Sequence, residues 1–391
     1  MTPDKLVSFR VARVRGLPRL AWAEGLDFSL PEEIMVRSRL FRQLNSNGRL
    51  DLRPGFAPPH PAAIGRLRLR AAYTLHKPLS GRLPFSYQRI PPGVRSIVAA
   101  LLARGRGRRL RARDSFPAWP LDLSADFLAD LIGRGPRRPS DAPTPVVLTH
   151  DIDSAEGLNN LVRLFIGLEE QYGARSTNFV VPLGWPLDRG LLSDIISRGH
   201  EIGAHGYDHS NRTPFADRPT RRRRLAQAAD RLASYRAAGY RAPSLLRTRR
   251  LHEDLGDFFR YDASIPTSGG IFPVPDNGCA SSRLFISGSV VELPLTLPRD
   301  GSLRFSGHSP GEILDIWIRC ADTIARSGGV VVLLTHCERR FSGNRRMLAA
   351  YRRFVAYIAA SKRYVWQTAA EVCNRWHAKT RGADVGRRIA P

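Results

Sequence analysis

Val146-Val147-Leu148-Thr149-His150-Asp151-Ile152-Asp153 decides how this chain is read. Its apolar start, with two β-branched residues, reads as a buried strand over 146–149. Its end carries an imidazole and two carboxylates. Gly199-His200-Glu201-Ile202-Gly203-Ala204-His205-Gly206-Tyr207-Asp208-His209 repeats the arrangement, with a short strand followed by two imidazoles four residues apart. Parallel α/β enzymes place their chemistry at the C-terminal ends of strands.

Outward from these stretches the pattern is regular. Strands are expected at 146–149, 176–181, 201–204, 261–265, 290–297, 330–334 and 364–367. Helices are expected at 158–172, 188–198, 220–238, 310–327, 344–361 and 369–376. Such alternation predicts a parallel α/β architecture. Pro294 makes 290–297 an edge or irregular strand. Residues 1–140 differ in texture, being rich in Pro, Gly and Arg, with turn signals at Pro58-Pro59 and Pro91-Pro92. Helices are expected there at 94–104 and 125–132, and the apolar run 97–103 reads as a buried helix face. The expected organisation is an N-terminal region of unknown fold (1–140), an α/β domain (141–377) and a flexible basic tail (378–391).

The chain has 391 residues and a formal net charge of +26. Only four of its 61 basic residues are lysines, namely Lys5, Lys77, Lys362 and Lys379. That bias suits a GC-rich genome better than a nucleic-acid footprint. The basic runs 104–113 and 221–224 have no interleaved aromatics, so no specific nucleic-acid partner is expected. Peripheral contact between the Arg-rich surface and an anionic membrane stays open. No apolar run approaches the roughly 20 residues of a membrane span. Cys279, Cys320, Cys337 and Cys373 lack paired spacing and read as free thiols. With no export signal read at the N-terminus, a cytoplasmic protein is expected.

Asp151 and Asp153 are two residues apart, so in an extended chain both face the same side. One can bind a metal while the other stays close and unligated. An Asx-turn or helix cap before Ser154-Ala155-Glu156-Gly157 is the competing reading. His205 and His209 are spaced to converge on one ion, and chance core packing competes there. Both pairs behind strands of one sheet favour a metal site.

Over 145–375 the chain resembles the polysaccharide deacetylase family (carbohydrate esterase family 4). Thr149-His150-Asp151-Ile152-Asp153 stands where that family carries Thr-Phe-Asp-Asp-Gly. His205 to His209 matches its His-[Ser/Thr]-x-x-His, with Gly206 in the second position. Arg241-Ala242-Pro243 matches Arg-x-Pro, Tyr261-Asp262-Ala263-Ser264 falls at the Asp-centred motif, and Leu334-Thr335-His336 matches Leu-x-His. The second Asp of the first motif is displaced by one residue.

The resemblance implies a distorted, incomplete (β/α) barrel and metal-dependent removal of N-acetyl groups from a carbohydrate. It implies Asp153, His205 and His209 as ligands of a divalent metal, most simply Zn²⁺. Asp151 would be the general base, Arg241 its orienting cation and His336 the general acid. Asp262 would orient that side of the site, and Leu334 would line the acetyl pocket. His150 would pack beside the site; His200 and His308 would be surface or supporting groups. Glu292 and Trp185 are candidate sugar contacts. An O-acetyl esterase or non-sugar amidase on the same fold is the alternative. A non-catalytic glycan- or nucleic-acid-binding protein is the second. Oligomeric state is not legible.

Overall fold

The computed structural model describes residues 6–10, 33–37, scattered positions between 74 and 126, and 142–388 apart from 268–277 and 280. Strands β1 (Leu6–Arg10) and β2 (Glu33–Arg37) form an antiparallel pair of their own. All other strands among the described residues belong to one nine-stranded sheet. They are β3 (Thr144–Ile152), β4 (Ser176–Val180), β5 (Glu201–His205), β6 (Gly239–Arg241), β7 (Tyr261–Asp262), β8 (Phe285–Ser287), β9 (Val290–Glu292), β10 (Val331–His336) and β11 (Tyr364–Trp366). The order is β10-β3-β4-β5-β6-β7-β9-β8, with β11 beside the start of β3. Every pairing is parallel except the β8–β9 hairpin.

The sheet curls back on itself after β9. Leu293 N–H donates to Asp262 O (2.8 Å) and Leu295 N–H to Ile265 O (2.9 Å). Two residues later Leu297 N–H donates to Val332 O at 3.0 Å, and Val332 N–H returns a bond to Thr296 Oγ1 at 2.7 Å. The segment thus leaves one end of the sheet and reaches β10 at the other. The result is the expected distorted, incomplete (β/α) barrel, closed by an irregular chain rather than a full strand.

Strand alternation divides this barrel into two apolar layers. Val146, Leu148 and Ile152 pack outward on Leu161, Phe165, Trp317, Tyr351 and Phe354. Val147 points inward with Phe179, Tyr261, Leu293, Val332 and Leu334. Thr149, Asp151 and His336 share the inward parity. That parity delivers the polar strand ends to the barrel mouth, while Leu334 sits wholly buried in the inner layer. Helix starts are marked by their caps: Ser309 and Glu312 form a capping box ahead of Pro310–Ser327.

Several boundaries differ from expectation. β3 runs to Ile152, because Asp151 still pairs with His336 of β10. The helix expected at 158–172 starts at Ala155 and passes through a π-helical turn at Leu161–Ile166. The helices Arg249–Leu255 and Asp300–Phe305 and strand β8 were not expected. The last helix, expected at 369–376, spans Ala369–Arg388 and so runs into the stretch read as a basic tail. Among described residues of the 94–104 helix, Ile97 and Leu101 are each 62% exposed, which corrects the buried face. The 125–132 helix lies outside the described residues except at Asp126, which is helical.

The N-terminal stretch is tied into the barrel. Leu121 and Leu123 are buried in the outer apolar layer. Asp126 accepts bonds from Ser281 Oγ (2.5 Å), Ser282 N (2.8 Å) and Ser282 Oγ (2.7 Å). Thr74 N–H donates to Arg247 O at 2.8 Å. No helix among the described residues is long and apolar enough to cross a membrane. The basic run 221–224 is largely consumed by internal ion pairs: Arg221 with Asp254 (2.6 Å), Arg222 with Asp257 (2.5 Å) and Arg224 with Asp208 (2.6 Å). The four cysteines are buried free thiols.

Candidate active site

The sheet brings Asp153, His205 and His209 together at the barrel mouth. Asp153 Oδ1 is 3.2 Å from His209 Nε2 and 3.4 Å from His205 Nε2. Asp153 follows the last residue of β3, His205 ends β5, and His209 lies on the loop beyond. That loop turns sharply. Gly206 has φ 69°, and a Cβ there would run into the Pro243 ring. A side chain at this position would need the backbone or the Pro243 ring to shift. His209 itself adopts φ 56°, an uncommon conformation for a residue with a Cβ.

Each imidazole is oriented through its other nitrogen. His205 Nδ1–H donates to Arg241 O at 3.1 Å. His209 Nδ1 lies 2.8 Å from Tyr87 Oη. Both contacts leave Nε2 facing Asp153, the geometry metal-binding histidines use. Asp153 Oδ1 is buried, and among the described residues the two imidazoles are the groups that face it. Burial opposes its charge, yet His209 and His205 hold its carboxyl well below the usual range. His205 responds in the opposite sense: burial disfavours its cation, but Asp151 and Asp153 raise its pKa. Two nitrogens and one oxygen that want positive charge between them form a donor set suited to a divalent cation.

Asp151 stands one step back on the same face. Its Oδ1 accepts from Arg241 Nη1 at 3.0 Å, and its Oδ2 is 3.7 Å from His205 Nε2. Arg241 is fully buried. It donates to Thr149 Oγ1 (2.8 Å) and Ala263 O (2.8 Å), and its guanidinium lies 4.2 Å over the Phe179 ring. Burial opposes ionisation of Asp151, but His205, Arg241 and His336 keep its carboxyl below the ordinary value. It is held ionised, as a general base must be.

His336 ends β10 with its ring against Asp300. Its Nδ1–H donates to Asp300 Oδ1 at 2.8 Å, and its backbone N–H to Asp300 Oδ2 at 2.8 Å. Ser342 Oγ–H completes the second oxygen at 2.7 Å. Burial works against the imidazolium, but Asp300, with Asp153 and Asp151 behind it, raises His336 to about 9. The group thus carries a proton at neutral pH.

Asp262 is a correction. It does not face His336; its carboxylate accepts from Ser264 Oγ at 2.7 Å and lies 3.2 Å from His252 Nε2. Asp300 takes the orienting contact instead. Sequence reading missed Asp300, although an acid just past the 290–297 stretch obeys the strand-end rule that found the others. Tyr87 was also missed; it lies 122 residues from its partner and in no motif. A third omission is Glu338, whose Oε1 accepts from Asp153 N (3.2 Å) and Ser154 Oγ (2.8 Å), pinning the turn that carries Asp153. Burial and then Asp153 raise its carboxyl to about 7.

The remaining candidates lie elsewhere. His150 faces outward, between Glu169 Oε1 (2.8 Å) and Thr335 Oγ1 (2.8 Å). His200 is buried, not on the surface, and its Nδ1 accepts from Ser176 N at 3.0 Å. His308 is half-buried against Leu303 O. Glu292 is fully buried, which corrects its reading as a sugar contact. Trp185 packs half-buried against the outer apolar layer.

The polysaccharide deacetylase family model matches residues 139–256. Among solved structures, PuuE allantoinase is similar over 66% of this chain and 98% of its own, at 16% identity and a TM-score of 0.51. A Mycobacterium smegmatis protein assigned as a polysaccharide deacetylase is 21% identical over 63% of this chain and 95% of its own, with a TM-score of 0.49. A Pseudomonas aeruginosa PAO1 protein assigned likewise is 16% identical over 66% of this chain and 98% of its own, with a TM-score of 0.48. No curated protein matches the chain. Residues 139–256 therefore match the polysaccharide deacetylase family model, within a barrel whose fold a solved allantoinase structure shares.

Proposed function

We propose that this protein is a metal-dependent hydrolase that removes N-acetyl groups from a carbohydrate. The observation that supports it best is the placement of three groups around one mouth. These are a His₂-Asp donor set, an ionised Asp151 braced by Arg241, and a protonated His336 braced by Asp300. Asp153, His205 and His209 would hold the ion, and Zn²⁺ suits two nitrogens and one oxygen with a position left open. When bound, such an ion supplies an activated water and a polarised acetyl carbonyl.

The protein's own residues divide the proton work. Asp151 accepts the proton of the attacking water, and Arg241 fixes its orientation. His336 gives a proton to the leaving amine nitrogen, while Asp300 holds its ring and tautomer. Tyr87 and the Arg241 carbonyl hold the two imidazoles in place.

The test is acetate release from chitooligosaccharides, peptidoglycan fragments and nucleotide-linked N-acetyl sugars, with Asp151→Asn as the control. Release that Asp151→Asn abolishes supports the reading. A metal-loaded protein that releases no acetate from any glycan refutes it. The displaced first motif favours one second reading, a non-sugar amidase on the same fold, and hydrolysis of small ureides and amides, followed by substrate loss rather than acetate, decides it.

A further inference from the structure

His252, Asp262 and Glu292 form a second cluster outside the catalytic constellation. Each contributes one ligand atom, and these atoms lie within 4.8 Å of one another. All three side chains are fully buried. They come from three elements: the helix Arg249–Leu255, β7 and β9. Asp262 and Glu292 are paired across the β7–β9 ladder, so the sheet itself sets one carboxyl beside the other.

Glu292 Oε1 accepts from Ile265 N at 2.7 Å. Its Oε2 is buried and, among the described residues, accepts from no N–H or O–H donor. Asp262 Oδ1 accepts from Ser264 Oγ at 2.7 Å, and its Oδ2 lies 3.2 Å from His252 Nε2. His252 Nδ1 is 2.8 Å from Ser287 Oγ, which fixes the ring with Nε2 turned to the carboxyls. Two carboxyls cannot both be ionised in so dry a place unless positive charge lies between them.

We propose that His252, Asp262 and Glu292 bind a second divalent transition-metal ion that ties the helix Arg249–Leu255 to β7 and β9. One imidazole nitrogen with two carboxylate oxygens suits Zn²⁺ or Co²⁺ better than Ca²⁺ or Mg²⁺, which take oxygen ligands. The oriented imidazole, with Ser287 on its far nitrogen, is the supporting contact such ligands carry. Full burial gives this ion no route to substrate, so its role is structural. Asp262 then contributes to the architecture beneath the active site rather than to the reaction.

The experiment uses the full-length chain with Asp153→Ala and His205→Ala, which removes the first site. After equilibration with Zn²⁺ and desalting, this protein should retain about one zinc per chain by elemental analysis. Adding Glu292→Gln should lower that to near zero. Zn²⁺ should raise the thermal midpoint of the Asp153→Ala/His205→Ala chain, and the Glu292→Gln version should lose the shift. The Co²⁺-loaded chain should show visible ligand-field bands that Glu292→Gln removes. A chain with no retained zinc and no zinc-dependent midpoint overturns the proposal and leaves a proton-bridged carboxyl pair. Retained zinc insensitive to both Glu292→Gln and Asp262→Asn overturns it equally, by placing the ion elsewhere.

Discussion

Asp300→Asn should move the basic limb of the pH–activity profile while leaving the cation in place. In the wild type, Asp300 accepts four bonds: from Gly301 N (2.6 Å), His336 Nδ1 (2.8 Å), His336 N (2.8 Å) and Ser342 Oγ (2.7 Å). It is the leading cause that raises His336 from 6.5 to about 9. Removing the negative charge leaves burial unopposed by its main partner, so the value falls back to 6.5 or below. A fall of that size corresponds to about 3 kcal/mol between the two protonation states. At pH 7.5 the protonated fraction would drop from nearly all to roughly a tenth. A bound cation repels the imidazolium, so both limbs lie lower in the loaded enzyme; the difference between the two proteins is the quantity to read.

Asparagine also costs stability for a reason separate from charge. Its NH₂ group must face either the His336 backbone N–H or the ring, and the backbone donor cannot become an acceptor. One mismatched buried pair costs about 1–3 kcal/mol. The assay is kcat/KM from pH 5 to 10 for both proteins, with metal content and thermal midpoint measured alongside. A basic limb that stays within a few tenths of a unit of wild type would falsify the assignment of His336 as acid with Asp300 as its brace.

Three further outcomes are expected. Asp153→Ala or His205→Ala should lose the active-site ion in a chelator-competition measurement, whereas Asp151→Asn should keep it and lose turnover by about 10²–10⁴-fold; full activity in Asp151→Asn would reassign the base. Tyr87→Phe removes the hydroxyl beside His209 Nδ1 and should weaken cation affinity about 10–100-fold at constant protein stability; unchanged affinity would make Tyr87 a packing residue only. The His336–Asp300 pair should also shape pH-dependent stability. A raised His336 contributes fully below 6.5 and is lost as pH rises through about 9, whereas the lowered Asp300 contributes above 3.8 and is lost as pH falls below it. Denaturant midpoints should therefore fall between pH 7 and 10 in wild type and less so in His336→Gln.

The architecture was legible because period-two alternation carries both fold and site. Once Val146 and Leu148 face the helices, Val147, Thr149 and Asp151 must face the axis, and Asp153 follows them. The strand end was harder. His150 and Asp151 look like loop residues in the sequence, yet the ladder to β10 holds them extended. Asp300 was hidden by its setting, since Arg299-Asp300-Gly301-Ser302-Leu303 has weak helix propensity and lies past Pro298. Asp262 was misread because it occupies the right order in the chain, and order along the chain does not set distance across a barrel. Tyr87 could not be read at all: a contact across 122 residues leaves no local pattern.

That last contact sets a limit on where this protein can be cut. The family match begins at residue 139, and the solved structures cover about two thirds of the chain. A fragment starting at the seam near 140 would keep every motif residue. It would nevertheless lose the hydroxyl that steers His209, the Asp126 carboxylate that gathers Ser281 and Ser282, and the leucines at 121 and 123. Gene fusions or truncations there would pass a motif inventory and yield a loosened barrel with a misaimed imidazole. The leading stretch and the barrel therefore have to be expressed together for His209 to keep its aim.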